Sequence, residues 1–261
     1  MRYKLTIEYD GSPYYGWQIQ DGQPTVQGAL EKAIEELMGQ HCRLQVAGRT
    51  DAGVHAWGQV AHFDAPKEYD AERIKFALNF YLHKKPPMLK GRQGCISVLN
   101  AECVGDDFHA RFSAKGRRYL YRVLNRPVPP TIDKGRVWHV PEKQDIDLLR
   151  AGASYLVGTH DFTSFRASEC QAKNPVKRMD SITIERVGLE IHYHFAAPSF
   201  LHHQVRNMVG SLKKVGQGRW KPEKIREVLE EKSRPAAAET APADGLYLTE
   251  VVYPHPYNPA P

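Results

Sequence analysis

One stretch concentrates side chains able to do chemistry: Gly48-Arg49-Thr50-Asp51-Ala52-Gly53-Val54-His55-Ala56 carries a guanidinium, a hydroxyl, a carboxylate and an imidazole in close succession. Its two glycines permit backbone angles that a helix or strand does not need, so the stretch reads as a loop. A carboxylate in such a loop has two uses. It can close an Asx-type turn by accepting nearby backbone N–H groups, or it can serve a bound substrate as nucleophile or base. Arg49 suits a phosphate, the space left by an extruded nucleotide, or a bond to loop carbonyls. Local sequence leaves both choices open.

The elements around this loop follow from periodicity. Tyr3, Leu5, Ile7 and Tyr9 alternate with Arg2, Lys4, Thr6 and Glu8, which predicts a strand with one buried face. Val26, Leu30, Ala33, Ile34, Leu37 and Met38 recur at helical spacing, with Thr25 as N-cap and Gly39 closing. Leu44 to Val46 and Gln59 to Phe63 read as short strands, making residues 48–58 the connection between them. Asp70 caps a second helix with Ile74, Ala77, Leu78, Tyr81 and Leu82 inward, and a strand follows near Ile96 to Val104. The first hundred residues therefore read β-α-β-β-α-β.

The second half repeats that order. Tyr119, Tyr121 and Val123 alternate on a strand, and on pattern alone Tyr119 is a core residue of it. A proline-rich loop at 126–130, a helix near 146–156 and a hairpin around Gly188 come next. Leu201, Val205, Met208, Leu212 and Val215 trace a helical stripe, Pro222 opens a short helix, and Leu246 to Val252 forms a last strand. The expected fold class is α+β, with two similar α/β halves of ferredoxin-like type, a mixed and largely antiparallel sheet, and a central cleft between the halves. The expected domains are 1–107 and 108–261.

Composition narrows the function. The chain has 261 residues, 41% hydrophobic and 25% charged, enough for real cores. No apolar run approaches the roughly 20 residues of a bilayer span and no apolar leader is evident, so a cytoplasmic protein without membrane contact is expected. Four cysteines lack any C-x-x-C pairing, and the histidines form no H-E-x-x-H, with His202 and His203 expected on different sides of a helix. Neither a disulfide framework nor a metal is expected. Lys plus Arg exceeds Asp plus Glu by 36 to 30, and basic residues cluster at 84–92, 115–118 and 213–221, which favours a polyanionic partner.

The motifs go further. G-R-T-D-A-G-V-H followed by G-Q-V-A-H-F closely resembles the signature of the TruA family of tRNA pseudouridine synthases. Similar blocks occur in the family's order at Ile7 to Gly11, Tyr14 to Gln18, Asp107 to Ala114, Arg118-Tyr119, Asp161 to Phe165, Gln204 to Met208 and Gly245 to Leu248. The chain departs from the pattern at 83–92, where it is longer and more basic than the family's compact Asn-x-x-Leu-Pro segment.

The resemblance implies isomerisation of uridine to pseudouridine at positions 38 to 40 of the tRNA anticodon stem-loop, with Asp51 as catalytic carboxylate. It implies that Tyr119 stacks on the uracil, that Arg206 pairs with Asp51, and that Leu246 packs against the reacting nucleotide. Gly48, Arg49, Thr50, His55 and Arg118 are the remaining substrate-binding candidates. No cofactor is implied, and the partners are tRNA and a second copy of the chain, one tRNA lying across both subunits. Two other functions suit the residues without the resemblance. One is a noncatalytic RNA-binding module; the other is a hydrolase using Asp51 with a second carboxylate.

Overall fold

Alternation at the start of the chain becomes strand β1 (Arg2–Tyr9), and helical spacing becomes α1 (Val26–Met38). Thr25 accepts from the Gly28 N–H and Gly39 ends α1 in the left-handed conformation, its N–H returning to Glu35 O. Val26, Leu30 and Ile34 are buried, each contributing about 1.5–3 kcal/mol by leaving water. Then come β2 (Gln45–Val46), β3 (His55–Asp64), α2 (Ala71–Lys84) and β4 (Ile96–Val104). Next are β5 (Gly116–Leu124), β6 (Trp138–His139), α3 (Ile146–Ser154), β7 (Gly158–Asp161), β8 (Val176–Met179), β9 (Ser181–Val187) and β10 (Glu190–Ala197). Helices α4 (Gln204–Gly216) and α5 (Lys224–Glu231) precede β11 (Leu246–Val252). This computed structural model describes residues 1–84 and 94–257; most of the basic segment 83–92, including Lys85, Lys90 and Arg92, lies outside them.

The chain forms two compact units, residues 1–115 with 247–261, and residues 116–246. In the first, strands run in the order β4-β1-β3-β11, with β2 on β3. All these pairs are antiparallel except β11 with β3, where Tyr247 lies opposite His55. In the second, β10 lies between β5 and β9, antiparallel to both, with β6 parallel to β5 and a separate β7-β8 pair. The α+β class with a mixed, mostly antiparallel sheet is thus the observed one. Among the described residues no helix is long and apolar enough to cross a membrane.

Three local expectations are corrected. Lys4, read as solvent-facing, is buried because β1 is an interior strand and residues 253–257 cover it: its Nζ donates to Tyr257 O at 2.6 Å and meets Glu102 at 3.4 Å. β3 begins at His55 rather than near Gln59, because His55 and Ala56 already pair with Tyr247 and Leu248. His202 and His203 precede α4 instead of lying in it. His203 has φ 60°, and the two rings sit 4.0 Å apart, on one side rather than two.

Candidate active site

The loop that carries Asp51 is held by backbone contacts on one side and a buried polar network on the other. Trp17 N–H donates to Thr50 O at 3.0 Å, and Gly53 N–H donates to Tyr14 O at 3.4 Å. These bonds bring residues 14–17 flush against the loop. Gly16, at φ +84°, has room for no side chain: a Cβ would stand 2.7 Å from Thr50 O and 3.1 Å from the Asp51 carbonyl carbon. Gly11 lies closer still to the Val54 carbonyl. Only glycine allows both the backbone angle and the approach at position 16.

Beneath the loop the Tyr9 hydroxyl shares a 2.7 Å hydrogen bond with Thr50 Oγ1, and Gln59 Nε2 donates to Tyr9 at 3.3 Å and to Gly48 O at 2.8 Å. Burial pushes the Tyr9 phenol up to about 12 against the opposing effect of Thr50 and Gln59, so it stays a neutral hydroxyl. Thr50 and Gln59 are buried, Asp51 is half-buried and Arg49 is exposed. The sequence thus places Thr50 as an internal anchor and leaves Arg49 accessible to a polyanion.

His55, at the start of β3, is buried and stacks on Tyr247 with ring centres 4.7 Å apart. Its Nδ1 lies 3.1 Å from Gly11 N and 3.3 Å from Asp10 Oδ1, tying β3 to the turn after β1. Burial alone would raise the Asp10 carboxyl; the neighbouring His55 ring and the hydrogen bond from the Ser12 N–H outweigh it and hold the group well below the usual carboxylate range. The first unit therefore brings together Gly48, Arg49, Thr50, Asp51 and His55.

The second unit holds the other candidates. Tyr119 sits on β5 opposite Phe195, half-exposed, with its ring edge-on to Phe200 at 4.9 Å. Tyr121, two residues on, is fully buried and donates to Pro242 O at 2.7 Å. The face that buries Tyr121 and Val123 thus opens at Tyr119, which is only half-buried. Arg118 is exposed beside it.

Arg206, in the first turn of α4, donates from Nε to Ala241 O at 2.7 Å, which fixes the direction of its guanidinium. The loop supplying that carbonyl hangs on Asn207, whose Oδ1 accepts from Thr240 Oγ1 at 2.6 Å and Arg234 Nη2 at 3.1 Å while its Nδ2 donates to Phe165 O. Ser211 Oγ accepts from Ala238 N–H, and Gly210 lets the Glu239 carbonyl touch the helix. Leu246 is buried at the start of β11. Tyr9, Gly16, Gln59 and Asn207 all support the candidate residues, yet sequence reasoning gave none of them a role. The glycine of Tyr14-Tyr15-Gly16-Trp17 was the available signal.

A model described as tRNA pseudouridine synthase matches residues 5–113 and 153–254. The chain is 53% identical over 252 residues to the tRNA pseudouridine synthase A of Paramagnetospirillum magneticum, covering 97% of this chain and 95% of that one. It is 52% identical to those of Caulobacter sp. (97% and 98% covered) and Rhodospirillum rubrum (97% and 88%). This chain belongs to the tRNA pseudouridine synthase family. Gly48, Arg49, Thr50, Asp51 and His55 fall in the first span matched to the family, and Arg206 and Leu246 in the second. Arg118 and Tyr119 lie between the two spans, in the part that the near full-length synthase relatives cover.

Proposed function

We propose that this protein isomerises uridine to pseudouridine in the anticodon stem-loop of tRNA, at positions 38 to 40, with Asp51 as the catalytic carboxylate. The observation carrying this reading is the loop of Asp51: a half-buried carboxylate on a rigid, glycine-clamped backbone, in a chain about half identical to tRNA pseudouridine synthases along nearly its whole length. In the reaction the N1–C1' bond breaks, the uracil turns, a C5–C1' bond forms, and the C5 proton leaves as N1 gains one. Asp51 acts on the sugar, by adding to C1' or by taking the C2' proton.

Arg206, its guanidinium held by the Ala241 carbonyl, pairs with Asp51 and fixes the direction of the carboxylate. Tyr119 stacks on the uracil and Leu246 packs against the nucleotide, while Arg49 and Arg118 bind phosphate and Gly48, Thr50 and His55 shape the loop that receives the base. Isomerisation is redox-neutral and consumes no water, so no cofactor is needed. The protein acts in the cytoplasm, where tRNA is found, as a homodimer with one tRNA lying across both subunits.

The test incubates the purified protein with unmodified tRNA and maps pseudouridine by position. With Asp51→Ala, tRNA binding persists and product disappears; equal product from the variant overturns the catalytic assignment. Unchanged RNA mass distinguishes isomerisation from hydrolysis, which would release uracil. A monomer in sedimentation at working concentration would refute the dimer.

A further inference from the structure

The β9-β10 hairpin carries a cluster that the reaction does not use. A strand's period of two puts Glu190, His192 and His194 on the outer face of β10, while Ile191, Tyr193 and Phe195 fill the core. Glu185 of β9 lies directly opposite His192 in the register. Glu185 Oε1 is 3.1 Å from His194 Nε2, and one ligand-type atom from each of Glu185, His192 and His194 falls within 4.8 Å of the others.

His192 Nε2 lies 2.8 Å from Glu190 Oε2, and Glu190 is gripped by both Arg122 Nε at 2.9 Å and Arg122 Nη2 at 2.7 Å. A carboxylate that takes one ring N–H fixes the histidine's tautomer and leaves its other nitrogen with a lone pair, the outer-shell support typical of metal-bound imidazole. Asp133 stands 3.7 Å from the same guanidinium, so Arg122 is shared between Glu190 and Asp133.

We propose that Glu185, His192 and His194 bind a divalent transition-metal ion of the zinc type, with Glu190 as the positioning residue behind His192. Two imidazoles and one carboxylate match the donor set zinc accepts, with water in the fourth place, and they mismatch the all-oxygen preference of calcium and magnesium. Bonds of about 2.1 Å in a tetrahedron set donor atoms about 3.4 Å apart. Closing from 4.8 Å needs only side-chain rotation of Glu185 and His194, which are 57% and 44% exposed. The ion links β9 to β10 and is independent of Asp51.

The experiment uses the full chain without an affinity tag, freed of metal by chelator and dialysis, and titrates it calorimetrically with Zn²⁺. Co²⁺ replaces zinc in a parallel titration to read the visible bands of a tetrahedral site. The wild type is expected to bind one more ion per chain than His192→Ala/His194→Ala, to show the cobalt bands, and to gain thermal stability with zinc that the double variant does not gain. Glu185→Gln, at an exposed position, is expected to show the same loss, and Glu190→Gln to bind roughly 10–100-fold more weakly. Equal stoichiometry and equal zinc-induced stabilisation in wild type and both ligand variants, or no ion bound to the wild type, would overturn the site.

Discussion

Replacing Gly16 with alanine tests whether the Asp51 loop is positioned by close backbone approach. Two costs are expected. The left-handed angle, φ +84°, costs an alanine about 1–2 kcal/mol. The added Cβ then stands 2.7 Å from Thr50 O and 3.1–3.2 Å from backbone atoms of Asp51 and Ala52, none of which is the free end of a side chain, so the loop must move. Overpacking of that kind adds about 1–3 kcal/mol. Gly22 supplies the control, since its φ of +69° carries the same angular cost with nothing within 4 Å of the new Cβ.

Gly22→Ala should therefore lower the melting temperature by only a few degrees, at about 2–4 °C per kcal/mol for a protein near this size, and leave the rate of pseudouridine formation unchanged. Gly16→Ala should melt lower still. Its single-turnover rate should fall by up to about 10²-fold while tRNA binding persists, because a displacement near 1 Å at a reacting group costs about that much. The assay pairs thermal melts with single-turnover kinetics on unmodified tRNA. Identical melts and rates for the two variants would refute the claim that contact at position 16 positions Asp51.

Other outcomes follow from the same structure. His62 is buried and accepts from Ala110 N–H at 3.1 Å through Nδ1; burial, then the charges of Arg2 and His109, pull its pKa down from 6.5 to about 4. The folded protein thus resists protonating this ring, so stability is complete above pH about 6.5 and falls by on the order of 2–3 kcal/mol as pH drops to about 4; denaturant melts should show that slope flattened in His62→Asn. Asn207→Ala leaves the buried Phe165 carbonyl without this donor and removes an acceptor from the half-buried Arg234 and Thr240, an expected loss of about 1–3 kcal/mol measurable by urea denaturation. Tyr9→Phe keeps the ring but removes the hydroxyl between Thr50 and Gln59; a melt lowered by about 1–3 kcal/mol is expected, with slower product formation.

Sequence alone determined what depends on neighbours in the chain. The Thr25 cap, the Gly39 terminator, the hairpin at Gly188 and the strands at 96–104 and 246–252 are local events, since capping and side-chain periodicity are settled within a turn or two of backbone. The family motifs, likewise local, named Asp51, Tyr119 and Arg206. Tertiary structure decided what those residues rest on. Tyr9 reaches Thr50 across 41 positions and Gln59 across 50, Ala241 holds Arg206 across 35, and β11 pairs with β3 from the far end of the chain. Periodicity reports that a face is buried but not against what, so it hid the burial of Lys4, the pairing that starts β3 at His55, and the cross-strand meeting of Glu185 with His192 and His194. Those contacts exist only once distant segments have packed.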